Sequence, residues 1–531
     1  MMKKQNRLWE LGSFGVGAAI AVTQLTAAES EKPLPLHKQP NILLIMADDH
    51  ANHAISAYGS KINKTPNIDR IAAQGALFEH AFCANAICGP SRACLISGKH
   101  SSANGFFTNR GRPFNFKQST LIKSLNKVGY QTALVGKWHL GRNNYAESGL
   151  DYWSVWHGGY YNPKFITKEG SKYEKGYSTT LITDKTIKWI DQCDTNSPFM
   201  AICTFNAPHR SWDPEVKYLN LYKDVTIPEP ETLFDNWTDK RSNTLRYNHM
   251  SIDKHFYYSY DLKVFDEVPF ASQREKRLKS YAIRYMSPED RKAWMAAYGP
   301  ENREFIKNHP TGKALVRWKY QRYIKDYLRC VRSVDDSVGR MLDFLDKKGL
   351  LENTIVIYTS DQGFYLGEHG WYDKRWMFEE SLRIPFIISW PGVTKPGKRY
   401  EQMIQNIDIA PTLINAAGGE IPEDMQGMSF LPILKEKNPK WRDAIYYHYF
   451  ESGGEHNVPA HEGVRTARYK LINFYRNDGY NLFDLKKDPK ELNNVIRDPE
   501  YAEVTKTLKT KLEELRKQYN EPPLPAPKKN K

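Results

Sequence analysis

A thiol in an unusual setting is the first chemistry the chain offers. Cys88-Gly89-Pro90-Ser91-Arg92-Ala93-Cys94-Leu95-Ile96-Ser97-Gly98-Lys99 places a nucleophile-type side chain ahead of a Gly-Pro pair and a run of helix formers. Proline is tolerated in the first turn of a helix, so Cys88 is predicted at or just before a helix N-terminus. Free N–H groups and the positive dipole end favour an anion there, and Arg92, one turn further in, reaches back to the same spot. An isolated Cys-x-Pro is more often a buried structural cysteine before a helix. A second set of residues suits a metal. Asp48, Asp49, Asp361 and Gln362 offer three carboxylates and one amide carbonyl. Such hard oxygen ligands suit Ca²⁺ or Mg²⁺ rather than Zn²⁺. A lone Asp-Asp pair is ordinarily a cap or turn; two pairs of oxygen ligands, Asp48-Asp49 and Asp361-Gln362, each ending a strand, fit that reading poorly.

Four buried strands are expected to position these groups. Residues 41–47 form a continuous apolar run ending in Asp48-Asp49-His50, and residues 132–136 end in Lys137-Trp138-His139. Residues 199–205 end in Asn206-Ala207-Pro208-His209, and residues 354–359 in Ser360-Asp361-Gln362-Gly363. Runs without alternation predict central parallel strands covered on both faces, and ligands bind beyond the carboxyl ends of such strands. Lys137 and His139, two apart, share a face if the backbone stays extended. Between the strands a helix capped by Ser119 carries Leu121, Ile122, Leu125 and Val128 to Gly129, and another spans residues 181–192. A long helix with Ile324, Leu328, Val331, Val338, Leu342 and Leu345 on one stripe stops at Gly349. The alternation predicts an α/β fold, with a large doubly wound, mostly parallel sheet flanked by helices. Strands over residues 445–450 and 469–474 and a helix over 501–519 predict a smaller C-terminal α+β subdomain. Residues 38–435 then form the main domain, 436–520 the subdomain and 521–531 a disordered tail. Residues 213–313 lack periodicity and are expected as an insertion over the site face.

Cys88-x-Pro90-Ser91-Arg92 followed by Ser97-Gly98-Lys99 resembles the signature of the formylglycine-dependent sulfatases of the alkaline-phosphatase superfamily, whose usual Thr-Gly-Arg ending is varied conservatively here. Thr65-Pro66-Asn67-Ile68-Asp69-Arg70, Gly136-Lys137-Trp138-His139, Asn206-Ala207-Pro208-His209 and Ser360-Asp361-Gln362-Gly363 resemble further blocks of that family, in its usual order. The resemblance implies that Cys88 is oxidised to formylglycine by a formylglycine-generating enzyme. It also implies that one Ca²⁺ is held by Asp48, Asp49, residue 88, Asp361 and Gln362, the last in place of the usual Asn or His. Lys137 and His139 would contact the sulfate and the formylglycine hydroxyl, His209 would face the leaving oxygen, and Lys374 in Tyr372-Asp373-Lys374-Arg375 would be the second sulfate-binding lysine. Hydrolysis would follow from attack of a hydrated-aldehyde hydroxyl on sulfur, with Arg92 and the lysines stabilising charge. His209, or Lys374 with it, would protonate the departing alcohol, and His139 would take the proton that lets the aldehyde reform.

The remaining features bear on substrate and address. The 531 residues carry a formal net charge of +15, and basic stretches interleaved with aromatics, as in residues 274–291 and 317–332, would draw in a polyanion. No nucleic-acid recognition module is visible, so a sulfated glycan is the better partner, beside the alternative of a merely solvated basic surface. The polar run 454–466 places Glu455, His456, His461 and Arg465 where they could bind sugar hydroxyls or carboxylates, or form an ordinary loop. With residues 370–375 it resembles bacterial carbohydrate sulfatases, including those acting on glucosamine 6-sulfate and on ulvan or carrageenan. A phosphodiesterase or phosphonate hydrolase of the same superfamily is the alternative, normally with more metal ligands. Lys3, Lys4 and Arg7, the apolar stretch 11–25 and Thr26-Ala27-Ala28 predict a cleaved signal peptide over residues 1–28, hence a periplasmic or secreted protein without stable membrane association. Six cysteines are too few for a disulfide framework, although one bridge is possible.

Overall fold

The computed structural model describes residues 39–237, 243–273, 281–476 and 479–525, so the predicted signal peptide lies outside them. Ten strands form the principal sheet. In chain order they are β1 (Asn41–Ala47), β2 (Ala76–Phe78), β3 (Gln131–Gly136), β4 (Tyr152–His157), β5 (Lys164–Thr167), β6 (Gly170–Tyr173), β7 (Phe199–Thr204), β8 (Thr354–Ser360), β9 (Phe386–Ser389) and β10 (Lys398–Tyr400). Across the sheet they run β10-β2-β9-β8-β1-β7-β3-β4-β5-β6. The centre, β8-β1-β7-β3-β4, is parallel throughout, as the unbroken apolar runs predict. Antiparallel pairing begins on either side, at β9 and at β5.

Successive side chains of β1 enter opposite cores. Ile42, Leu44 and Met46 join one apolar cluster, while Leu43, Ile45 and Ala47 join the other. Helices α1 (Pro66–Gln74), α4 (Ser178–Asp191) and α6 (Gly312–Lys347) cover the second face, with α5 (Pro288–Asn308) joining the same apolar cluster, whereas α2 (Cys88–Ser97), α3 (Leu121–Lys127) and α7 (Ile409–Ala416) cover the first. The stripe read along α6 is buried as expected. The cap of α3 is not Ser119: Thr120 is the N-cap, and its hydroxyl accepts from the Lys123 N–H at 3.3 Å.

Register explains why the chemistry converges. Ala47 pairs with Ser360, and both Met46 and Gly136 pair with Thr204, so four strands finish at one level. Gly136 adopts φ +114, and a Cβ there would fall 1.8 Å from the Thr204 carbonyl oxygen. Only glycine allows β3 and β7 to lie this close just before Lys137.

The C-terminal subdomain is a four-stranded antiparallel sheet, β11 (Ala444–Tyr449), β12 (His461–Thr466), β13 (Tyr469–Phe474) and β14 (Gly479–Asp484). Helix α8 (Ala502–Gln518) closes it, with Leu508, Leu512 and Leu515 against Tyr446, Val464 and Leu471. The tail expected to be disordered from residue 521 is described as far as residue 525. Glu521 lies 3.1 Å from His448 and accepts from the Ser102 hydroxyl, and only residues 526–531 fall outside the described part. All six cysteines are free, so the possible bridge is not formed. Among the described residues no helix is long and apolar enough to cross a membrane.

Candidate active site

Cys88 opens α2, as the Gly-Pro pair dictates, and its side chain is buried beneath the strand tips. Asp48, Cys88 and His209 present ligand atoms within 4.8 Å of one another, and so do Asp48, Asp49 and Asp361. The Gln362 amide nitrogen lies 3.7 Å from the Cys88 sulfur and donates to Asp49 Oδ1. Three cationic side chains close over the carboxylates. Lys137 Nζ meets Asp48, Lys374 Nζ lies 2.7 Å from Asp49 Oδ2, and Arg92 lies 2.9 Å from Asp361 Oδ2. Arg92 also donates to the Lys137 carbonyl at 2.8 Å, tying α2 to the end of β3. Thus the residues read as Cys88, Arg92, Lys137, His209 and Lys374 meet the carboxylates of Asp48, Asp49 and Asp361.

The electrostatics follow from crowding three carboxylates in a dry place. Burial and the Asp48 carboxylate push Asp361 up to about 8, against the pull of Arg92. Burial would raise Asp48 too, but Lys137, His209, Arg92 and Lys374 hold it well below the usual carboxylate range. Asp48 Oδ1 and Gln362 Oε1 are buried acceptors without a hydrogen bond. Orphaned oxygens amid carboxylates of opposed protonation are what a divalent cation would satisfy, so the residues fit Ca²⁺. Burial and Asp48 push the Cys88 thiol up to about 12. Unmodified, it stays protonated at neutral pH and is a poor nucleophile.

Both histidines are tuned by burial. His209 is lowered by burial and then by Lys374, and its Nδ1 donates to the Arg210 carbonyl at 2.6 Å. A carbonyl only accepts, so Nε2, 3.6 Å from Asp49 Oδ2, is the nitrogen left to exchange a proton. Burial and Lys137 hold His139 well below the usual imidazole range, and its Nδ1 is shielded without a partner. Asp49, His139, Asp373 and Arg375 all adopt positive φ, between 58° and 95°, a concentration of backbone strain at one place.

The four sugar-binding candidates separate. His456 Nδ1 donates to the His249 carbonyl at 3.1 Å, and its Nε2 lies 3.1 Å from Asp373 Oδ2, beside Lys374. Glu455 is exposed, 3.7 Å from the Arg210 guanidinium. His461 and Arg465 are corrections to the sequence reading, because β12 turns both inward. His461 is fully buried among the rings of Trp376, Tyr447, Tyr449 and Phe474, with Nδ1 on the Pro459 carbonyl. Arg465 pairs with Glu379 at 3.2 Å, where Lys470 and Glu491 complete a buried cluster joining the two domains.

His461 gives a pH prediction. Burial, partly offset by the Pro459 carbonyl, lowers it from 6.5 to about 3. The unfolded chain therefore binds a proton that the fold does not. The stabilisation is complete above pH 6.5 and is lost as pH falls toward 3. Between pH 7.5 and 5, a His461→Phe variant should lose about 2 kcal/mol less unfolding free energy than the parent. Urea unfolding at the two pH values checks this, and equal losses would exclude it.

Beside the cluster opens a cavity of about 410 Å³, lined by Asp48, Lys137 and His209 together with Trp156, His157, Tyr160, Arg210, Tyr260 and Tyr285. The last six were not foreseen. Arg210 follows His209 in the motif and was within reach of inspection, whereas the others come from β4, the loop after it and the aperiodic insertion. Arg210 is held by Asp261 through two bonds of 2.7 and 2.8 Å and lies over the rings of Tyr257, Tyr260 and Tyr372.

Comparison with known proteins places this geometry. The sulfatase family model matches residues 40–419, and the model for the C-terminal part of N-sulphoglucosamine sulphohydrolase matches residues 367–518. An N-acetylglucosamine-6-O-sulfatase of Bacteroides thetaiotaomicron is 43% identical over 91% of this chain and 87% of its own length. An arylsulfatase of Clostridium perfringens is 28% identical over 88% of this chain and 92% of its own. A solved structure of a protein in complex with its substrate D-glucosamine-2-N,6-O-disulfate superposes with a TM-score of 0.87 at 42% identity, covering 91% of this chain and 98% of that one. The chain therefore belongs to the sulfatase family and is a sulfuric ester hydrolase.

Proposed function

We propose that this enzyme removes the 6-O-sulfate from glucosamine residues of a sulfated glycan, using a formylglycine made from Cys88 and one Ca²⁺. The observation that carries the reading is the meeting of Cys88, Asp48 and His209 within 4.8 Å, next to the cavity of about 410 Å³. That volume lies within the range of small-ligand pockets. The relative that shares 43% identity is an N-acetylglucosamine-6-O-sulfatase, which supports the choice of sugar and position. Asp48, Asp49, Asp361, Gln362 and residue 88 would hold the ion. The two possible ligand groups share Asp48, which favours one ion over the larger ligand set of the phosphodiesterase alternative. When present, the ion and the hydrated aldehyde supply an acidified hydroxyl as nucleophile and a second hydroxyl through which the aldehyde reforms.

The chain's own groups supply the rest. Lys137 and Lys374, set on opposite carboxylates, place two ammonium groups over the sulfuryl oxygens, with Arg92 behind them. His209 in its imidazolium form, with Nδ1 still on the Arg210 carbonyl, delivers the Nε2 proton to the departing sugar oxygen, and the unpartnered Nδ1 of His139 receives one from residue 88. His456, held by Asp373, and Glu455 at the edge present polar groups to the sugar. Maturation by a formylglycine-generating enzyme and export to the periplasm or beyond belong to the same proposal, the latter resting on the pattern of residues 3–28.

Sulfate release, followed by ion chromatography, tests the reading. N-acetylglucosamine 6-sulfate and glucosamine 6-sulfate should be desulfated, while the N-sulfate of glucosamine 2-N-sulfate should remain. Faster turnover of bis-p-nitrophenyl phosphate than of any sulfate ester, or preference for ulvan or carrageenan oligosaccharides, would overturn it.

A further inference from the structure

One acidic side chain of the C-terminal subdomain is bonded to both sides of the active site while standing outside it. Glu451, just past β11, has a side chain 13% exposed. Its Oε1 accepts from the Asn109 N–H at 3.3 Å. Asn109 Oδ1 accepts in turn from the N–H of Gly89, at 3.0 Å, the residue that follows Cys88. The contact is tight, since a Cβ on Gly89 would fall 2.8 Å from Asn109 Oδ1 and 2.8 Å from the His139 carbonyl. The other oxygen, Oε2, accepts from Arg375 Nη1 at 3.0 Å and from the Tyr449 hydroxyl at 3.2 Å. Arg375 Nε donates to Asp373 Oδ1 at 3.1 Å, and between these two lies Lys374, whose Nζ reaches Asp49. Asp373 and Arg375 both hold positive φ, 80° and 95°, a backbone that persists only where neighbours fix it.

We propose that Glu451 is a positioning residue that sets the separation between residue 88 and Lys374, and so aligns the lysine on the group being transferred. This rests on the sulfatase reading of those two residues. The carboxylate is specifically required. All its partners are donors, so both oxygens must accept, whereas an amide offers one accepting oxygen and would turn an NH₂ toward a donor. Replacing the glutamate releases the Asn109 loop and Arg375 together, and a displacement of about 1 Å at a reacting centre costs up to about 100-fold.

The test uses p-nitrophenyl sulfate, which is independent of sugar specificity, with the parent, Glu451→Gln, Asn109→Ala and the double variant. Glu451→Gln should lower kcat by about 10- to 100-fold with KM within about threefold, and Asn109→Ala should lower kcat by about tenfold. The double variant should fall no further than Glu451→Gln, because both cut one chain of contacts. The mass of the residue-88 peptide should match the parent in every variant, which separates alignment from maturation. Unchanged kcat in Asn109→Ala, an effect on KM alone, or losses that multiply in the double variant would overturn the proposal. Should Glu451→Gln fail to fold, Asn109→Ala decides alone, because it removes only the side chain that holds Gly89. A parent inactive on every sulfate ester overturns the functional reading as well, whereas an active parent matched by its variants overturns only this one.

Discussion

Cys88→Ala is expected to lose about 10⁴-fold or more in kcat for sulfate release, the scale seen when a covalent nucleophile is removed. Cys88→Ser should be as inactive. A serine at the mouth of α2 would offer one oxygen, whereas the proposed formylglycine route would release sulfate after transfer through a second hydroxyl on the same carbon. The thiol cannot substitute, since burial and Asp48 push it up to about 12 and leave it protonated at neutral pH. The fold should hardly notice, as removing one sulfur from the start of a helix costs about 1 kcal/mol. Residual turnover above about one part in a hundred in Cys88→Ala, with the fold intact, would remove residue 88 from the reaction.

Lys374→Met should lower kcat by about 10²–10³-fold, the effect of deleting one charged donor aimed at a developing anion in a dry site. Lys374 is 2% exposed and contacts Asp49 at 2.7 Å and Asp373 at 3.9 Å. Methionine keeps the length and apolar stem but leaves both carboxylates short of a cation. Removing one partner of a buried ion pair costs about 3–5 kcal/mol. A calcium ion between Asp48, Asp49 and Asp361 would restore much of that. The melting temperature of the variant should therefore rise more on adding Ca²⁺ to chelator-treated protein than that of the parent. Equal rises together with parental kcat would show that the lysine faces neither the ion nor the substrate.

The candidate site is legible in the sequence because one physical rule runs from sequence to the place where its residues meet. An apolar run without alternation is a central parallel strand, and its carboxyl end is where ligands bind; β1, β3, β7 and β8 each carry their polar residues there. Cys88 was legible through Gly-Pro, which permits a helix to start there. Lys374 came from the family resemblance and from no local rule, for it sits on a two-residue strand pair, Tyr365–Leu366 with Tyr372–Asp373, bent by positive φ. The Thr65–Arg70 block proved structural: Asp335 of α6 accepts from the N–H groups of Asn67 and Ile68, pinning the start of α1.

The misreadings have equally local causes. In His461-Glu462-Gly463-Val464-Arg465-Thr466 the polar residues outnumber the apolar ones, so the stretch read as a loop or as groups facing a sugar. It is a strand between two others, and its polar side chains find internal partners, Arg465 in Glu379, Glu462 in Arg516 and His461 Nδ1 in the Pro459 carbonyl. Charge pairing between distant segments leaves no periodicity to detect. The same holds for the insertion, where Trp294, Phe256 and Leu262 join the core behind α6 through contacts that no single helix or strand pattern announces.

The most direct measurement is the mass of the proteolytic peptide spanning residue 88, taken from protein of known sulfatase activity. The expected result is a peptide roughly 18 Da lighter than the cysteine sequence requires, the difference between thiol and aldehyde, in a fraction that tracks activity. Fully active enzyme whose residue 88 retains an unmodified thiol would contradict the mechanism at its root.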